Sequence, residues 1–227
     1  MPQSDPYNIP WILQLIDIIR PQSVLDIGIG NGSYGLLIRQ NLDIAKGRLK
    51  KDQWITKIDG IEVFENYKNP LWDYFYDSIS IGNVLGMKEL IAHYDLILLC
   101  DVIEHFTKEE GLQLLDQLLE KTNYLIISTP KKNYPQGEVL GNIYETHLSN
   151  WDIHDFMNYP NKTITVNQCF ISVMSQENKY MEIIDMNSIP HLIRPSNHSH
   201  GIVMKSLTKL IFKLRHFFQK GKKEDHN

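Results

Sequence analysis

The sequence predicts an α/β fold, a mostly parallel sheet with helices on both faces. Three observations carry this. Short apolar runs alternate with amphipathic segments from Ser23 to Ser128. The first run empties into a glycine cluster, Gly28, Gly30 and Gly32. The last two runs, Lys162–Val166 and Cys169–Ser175, alternate side by side like a hairpin. Strands that alternate with helices need crossover connections, which means parallel pairing.

The elements follow in order. Ile9–Ile19 reads as a helix with Ile12, Leu15, Ile16 and Ile19 on one face. Pro10 suits its first turn, and Pro21 lies just past its end. Ser23–Ile27 is a buried strand entering a tight turn, and Ser33–Gln40 is the next helix. Ile58–Val63 is a strand, and Tyr67–Tyr76 is a helical aromatic segment with Pro70 near its start. Its rings pack on the sheet, or Tyr67 or Trp72 covers a ligand. Ser78–Ile81 is a weak strand and Tyr94–Cys100 a strong one. Lys108–Leu119 is a helix with Leu112, Leu115 and Leu119 on one face. Tyr124–Ser128 is a strand stopped by Thr129 and Pro130. Ser149 is placed to cap a short helix at Trp151–Met157, where Trp151 fills core.

Composition removes several classes of function. The 227 residues, 42% of them apolar, suffice for one ordinary core. No stretch approaches the roughly 18 apolar residues that span a bilayer. The start, MPQSDPYNIP, shows no basic segment before an apolar one, and Cys100 and Cys169 form no metal spacing. These features predict a cytoplasmic protein. The net charge of −4 divides unevenly. Residues 203–227 carry seven Lys/Arg and two acids, a net +5; the remaining 16 bases and 25 acids leave −9. An acidic body argues against a nucleic-acid partner.

The glycine turn is the central signal. Glycines let backbone approach a ligand closely. Glu62, at the end of the second strand, can accept both hydroxyls of a ribose. Asp26 stands two residues before the first glycine, where it would repel phosphate and suit a cationic ligand. No Gly-Lys-Ser/Thr run is present, so a P-loop is excluded.

At these residues the chain resembles the class I S-adenosylmethionine-dependent methyltransferases. VLDIGIGNGSYG matches their first motif, and Ile61-Glu62 the acidic end of their second strand. Gly82-Asn83-Val84, YDLILLCDVIEHF and LIISTP follow as the third, fourth and fifth. The resemblance spans roughly Ser23–Met174. It implies a Rossmann-like, doubly wound sheet of seven strands, mostly parallel, with one antiparallel strand near the C-terminus. It also implies S-adenosylmethionine as cofactor. Asp26 and the backbone at Gly28 and Gly30 would hold the methionine end, and Glu62 the ribose. Val63, Asn83 and Val84 would meet adenine, and Asp101 would face the methyl group or the ammonium.

Asp101, Glu104 and His105 put three ligating groups in five residues, and His147 comes later. This resembles the ubiquinone-biosynthesis O-methyltransferases and the small-RNA 2′-O-methyltransferases. There such residues can hold a divalent metal ion beside the substrate hydroxyl. Three readings stay open: a metal on Asp101, Glu104, His105 and His147, a histidine base without metal, and a histidine that only ties the loop. His105, His147 and Glu104 are the catalytic candidates. Residues 131–148 form a loop too long for an ordinary connection, and Gln136 and Glu145 within it are substrate candidates.

The sequence thus predicts a methyltransferase domain over 1–175 and an extension over 176–227. Methylation of oxygen on a small-molecule or glycan-type acceptor is the expected activity. The alternative is a non-catalytic nucleotide-binding or scaffold module. Residues 204–218 read as a basic amphipathic helix that packs on the domain, forms a homodimer or lies on a membrane surface. His198 and His200 read as loop residues.

Overall fold

The computed structural model describes residues 4–87, 91–131 and 134–184. The described residues belong to one compact unit. The helix read at 204–218, with His198 and His200, lies outside the described residues.

Seven strands form one sheet: β1 Ser23–Ile27, β2 Lys57–Glu62, β3 Ser78–Ile81, β4 Tyr94–Cys100, β5 Thr122–Pro130, β6 Asn161–Val166 and β7 Cys169–Met174. Their order is β3-β2-β1-β4-β5-β7-β6. β1 pairs in parallel with both β2 and β4, and β4 with β5. β7 runs antiparallel to β5 and to β6, so one strand opposes the rest. The predicted sheet is borne out. The chain leaves β1 for β2 and β3, then returns to β4 on β1's other flank. The crevice beside the ends of β1 and β4 is therefore the topological switch point, where open α/β sheets bind ligands.

Period-two alternation sorts the strand residues between two cores. Val24, Leu96, Leu98 and Ile126 join the helices α1 (Ile9–Ile19) and α2 (Ser33–Leu42) on one face. Leu25, Ile97, Leu99 and Leu125 join α4 (Lys108–Leu119) on the other. β4 consequently has no polar face, which is why it reads as an unbroken apolar run. Thr107 and Glu110 form a reciprocal capping box on α4, worth about 1 kcal/mol.

Three local expectations shift. The aromatic segment is not one helix. A 3-10 turn at Glu65–Tyr67 precedes α3 (Pro70–Phe75), because Pro70 forces Asn69 into an extended conformation. Ser149 caps nothing; its hydroxyl accepts from Trp151 Nε1 at 2.9 Å. Asp152 caps the following 3-10 turn, Ile153–Phe156, by accepting from His154 N. β5 runs through Thr129 and Pro130, where β7 still pairs with it. A short helix, α5 (Asn178–Glu182), follows β7, and Met181 and Ile184 are buried in the first core. Among the described residues, no helix is long and apolar enough to cross a membrane.

Candidate active site

A cavity of about 930 Å³ opens at the carboxyl ends of the parallel strands. The turn after β1 forms one wall. Gly28, Gly30 and Gly32 all have positive φ, at 75°, 50° and 85°. A Cβ on Gly28 would fall 2.4 Å from Val102 Cγ2, so this position needs glycine for space as well as conformation. The turn is braced from behind: Trp72 Nε1 donates to the Gly30 carbonyl at 2.9 Å. Trp72 is fully buried there, so it supports the turn and lies off the cavity wall.

Glu62 lines the cavity at the end of β2. One carboxylate oxygen accepts from Gly30 N at 2.9 Å, the other from Phe64 N at 3.0 Å. Each oxygen keeps a second lone pair for a ligand. Burial pushes its pKa up, and the backbone N–H groups partly oppose that. Asp26 lies elsewhere than the sequence suggests. Its carboxylate is buried outside the cavity lining and accepts from the Tyr76 hydroxyl at 2.6 Å. Tyr76 in turn accepts from Gly35 N, at 3.0 Å, near the start of α2. Burial drives Asp26 up to about 7, and Glu62 nearby adds to the rise. The tyrosine fits only because position 35 is glycine; a Cβ there would fall 2.3 Å from its ring.

Val63, Asn83 and Val84 line the adjoining part of the cavity. Asn83 accepts from Leu85 N at 3.0 Å, fixing the turn after β3. Asp101, just past β4, has φ 54°, rare for a residue with a side chain. Its carboxylate accepts from Ser128 Oγ at 2.9 Å and from Asp5 N at 3.1 Å. Burial raises its pKa. The partner at Asp5 belongs to an N-terminal segment in which Ser4, Asp5 and Ile9 also line the cavity. No periodicity in the sequence marks Ser4 and Asp5. Tyr34, on the same wall, has a buried hydroxyl whose pKa burial pushes well up.

The opposite chemistry comes from the 3-10 turn Ile103–His105 and the loop after β5. His105 Nδ1 faces the Thr146 carbonyl at 3.2 Å, and His147 Nδ1 faces the Tyr134 carbonyl at 2.6 Å. A carbonyl can only accept, so Nδ1 carries the proton in each ring and Nε2 keeps its lone pair. The ring centroids are 4.8 Å apart. Burial, then the neighbouring His147, pushes His105 down to about 4; burial also lowers His147. Burial thus favours the neutral imidazole in both rings. Glu104 is buried, accepts from Thr129 Oγ1 at 3.1 Å, and is pushed well up by burial and by Asp101.

Main-chain bonds clamp the loop onto this turn. The Glu104 carbonyl accepts from Leu148 N and Ser149 N at 2.8 and 3.1 Å. Gln136 lines the cavity and braces the loop, donating to the Glu145 carbonyl at 2.8 Å. The Glu145 carboxylate accepts from Tyr67 Oη and Asn142 Nδ2. Tyr67 thereby joins the loop and does not line the cavity. Ligand atoms of Glu104, His105 and His147 lie within 4.8 Å of one another. Asp101 is outside that group, so the resemblance's four ligands come together as three.

No protein-family model matches this chain, and no curated protein matches it. Solved structures do. The methyltransferase domain of bacterial CtHen1 superposes with a TM-score of 0.52 at 17% identity, covering 74% of this chain and 97% of that domain. The N-terminal domain of EvdMO1, with SAH bound, gives 0.54 at 13%, covering 76% and 81%. An O-methyltransferase family protein from Burkholderia thailandensis gives 0.54 at 11%, covering 75% of this chain and 56% of its own. The fold is that of the class I S-adenosylmethionine-dependent methyltransferases.

Proposed function

We propose that the chain transfers the methyl group of S-adenosylmethionine to an oxygen of a small or medium-sized acceptor, glycan-type acceptors included. One observation carries the reading. A single cavity joins the glycine turn and Glu62 to a pair of neighbouring histidines, His105 and His147. The cofactor, when bound, supplies an electrophilic methyl group on sulfur. Glu62 accepts the ribose hydroxyls with the lone pairs that Gly30 and Phe64 leave free. Val63, Asn83 and Val84 bound the adenine. Asp101 and the backbone at Gly28 and Gly30 meet the methionine end, and Asp26 acts beneath them by holding Tyr76 against α2.

His105 Nε2 accepts the acceptor's proton, and the Thr146 carbonyl steadies the resulting imidazolium through Nδ1–H. The loop clamped on Glu104 holds His147, Gln136 and Glu145 around the acceptor. Positioning supplies much of the rate, because the attacking oxygen must lie in line behind the methyl group. Calorimetry with S-adenosylmethionine tests the reading, and absence of binding at millimolar cofactor overturns it. Binding without transfer to any acceptor would favour a non-catalytic nucleotide-binding module.

A second reading has its own observation, the three converging donors of Glu104, His105 and His147. Each imidazole offers Nε2 outward while Nδ1–H is anchored on a carbonyl, the arrangement that orients histidine ligands. A divalent ion held there would acidify an acceptor hydroxyl. Metal analysis of dialysed protein, with and without His105→Ala, decides it; equal, negligible content ends the metal reading.

A further inference from the structure

We infer that Tyr67 is a positioning residue, which holds His105 and His147 in place for the acceptor through one hydroxyl. The inference rests on the methyltransferase reading and deepens it. Tyr67 is buried and lies outside the cavity lining, so it acts only through its neighbours. Its main chain belongs to the wall that carries Glu62. The Tyr67 N–H donates to the Phe64 carbonyl at 3.1 Å, and the two rings meet edge-on with centroids 4.8 Å apart. Phe64 N in turn donates to the Glu62 carboxylate at 3.0 Å. Asn69 Nδ2 donates both to the Tyr67 carbonyl at 3.0 Å and to the Asn31 carbonyl, in the glycine turn, at 3.2 Å. The ring's place is thus fixed by the end of β2 and by the glycine turn.

The hydroxyl reaches the loop after β5. It donates to the Glu145 carboxylate at 3.0 Å, and Asn142 Nδ2 donates to both at 3.2 Å. All three side chains are buried, so water is poorly placed to replace a lost bond. Burial pushes the Tyr67 hydroxyl up to about 12, which keeps it a donor at neutral pH. Both partners lead to the histidines. Asn142 Oδ1 accepts from Tyr144 N at 3.0 Å and so caps the 3-10 turn Ile143–Glu145. The next carbonyl, Thr146, faces His105 Nδ1 at 3.2 Å. The Glu145 carbonyl accepts from Gln136 Nε2, and the Gln136 carbonyl accepts from His147 N at 3.0 Å. Among the described residues, the hydrogen bonds between this loop and the connection from β2 to α3 all pass through the Tyr67 hydroxyl. The loop's outer residues offer little support, since Leu140 and Ile143 are 73% and 63% exposed. Loss of the hydroxyl should therefore let the turn drift and take the Thr146 carbonyl from His105.

The test uses full-length protein in EDTA, with SAH binding heat measured first. Nitrogen NMR then reads which ring nitrogen of His105 carries the proton, and hydrogen exchange follows the Thr146 and His147 amides. In Tyr67→Phe, which keeps the ring, the Nδ1–H signature should be lost and both amides should exchange about tenfold faster. SAH affinity should stay within about twofold. Glu145→Gln keeps an acceptor for the hydroxyl and should keep both signals. Glu145→Ala removes the same bond from the loop side, and should show the same losses even where Tyr67→Phe fails to fold. An unchanged tautomer in Tyr67→Phe overturns the inference. So does a folded Tyr67→Phe that no longer binds SAH, which would put Tyr67 in the cofactor site. Absence of SAH heat in the wild type reports instead that the methyltransferase reading has failed, and a role in placing its histidines falls with it.

Discussion

The two halves of the cavity are built by opposite means. The half proposed for the cofactor consists of strand ends. β1 and β2 are locked in register, and the turn between β1 and α2 is held by Glu62, Trp72 and positive-φ glycines. The half proposed for the acceptor is a loop lying on a 3-10 turn, held by scattered bonds to carbonyls at Glu104, Thr146 and Tyr134. Sheet geometry fixes the first half almost regardless of side chains outside the turn. Individual side chains fix the second. A scaffold of this kind can change acceptor by changing a loop while its cofactor wall stays put.

That division should break cleanly under mutation. The largest effect is expected from His105→Ala, with turnover falling roughly 10²–10⁴-fold and S-adenosylmethionine affinity unchanged within about twofold. Methyl-transfer assays beside calorimetry check this, and a matching loss of cofactor affinity would mean the halves are coupled. The pH profile sharpens the same point. A base must be unprotonated, and burial lowers the pKa of both histidines. The acid limb of kcat/KM should therefore lie below the ordinary histidine value, toward about 4 if His105 is the base. An acid limb near 7 would exclude it.

Gly28→Ala attacks the other half. The new methyl must displace Val102 at a positive φ. Cofactor affinity should fall about 100-fold, roughly 3 kcal/mol. Thermal unfolding of the variant tells whether the fold or the turn alone gives way.

Beneath the cofactor half, Asp26 makes a pH-dependent contribution to stability. Its folded pKa of about 7 exceeds the unfolded 3.8, so the folded state holds the proton more tightly. Folding is favoured most below the unfolded value, and stability is lost as pH rises toward 7. Asp26→Asn removes this dependence. In urea titrations the variant should gain about 2 kcal/mol on wild type between pH 5 and pH 8. A constant difference would place the proton elsewhere. Smallest in effect is Glu62→Gln. It keeps one carbonyl acceptor and should weaken S-adenosylmethionine about tenfold, as read by calorimetry.

The same contrast governs what the sequence discloses. β1, β4 and α4 show themselves because burial on both faces, or on one helical stripe, forces an apolar pattern. The glycine turn shows itself because its backbone angles exclude other residues. Glu104 and His105 are legible as neighbours after β4, and His147 only through a family resemblance. Asp26 misleads: the pattern marks an acid before the turn but not the direction of its carboxylate, which Tyr76 decides. Ser149 and Asp152 are both good caps on paper, and the loop's path selects the second. The N-terminal lining has no signal, since a few polar contacts to distant residues leave no periodic trace.

That N-terminal lining also sets a timetable. Asp5 bonds to Asp101, 96 residues away, and its carboxylate receives Cys169 Sγ at 3.8 Å across 164 residues. Such contacts have the highest loop-closure cost and form late. A segment this far in sequence from its partners is thus among the last to dock, after β4 and β7 have taken their places. In refolding, competence for cofactor should lag behind the sheet, with Ser4 and Asp5 arriving as the closing piece.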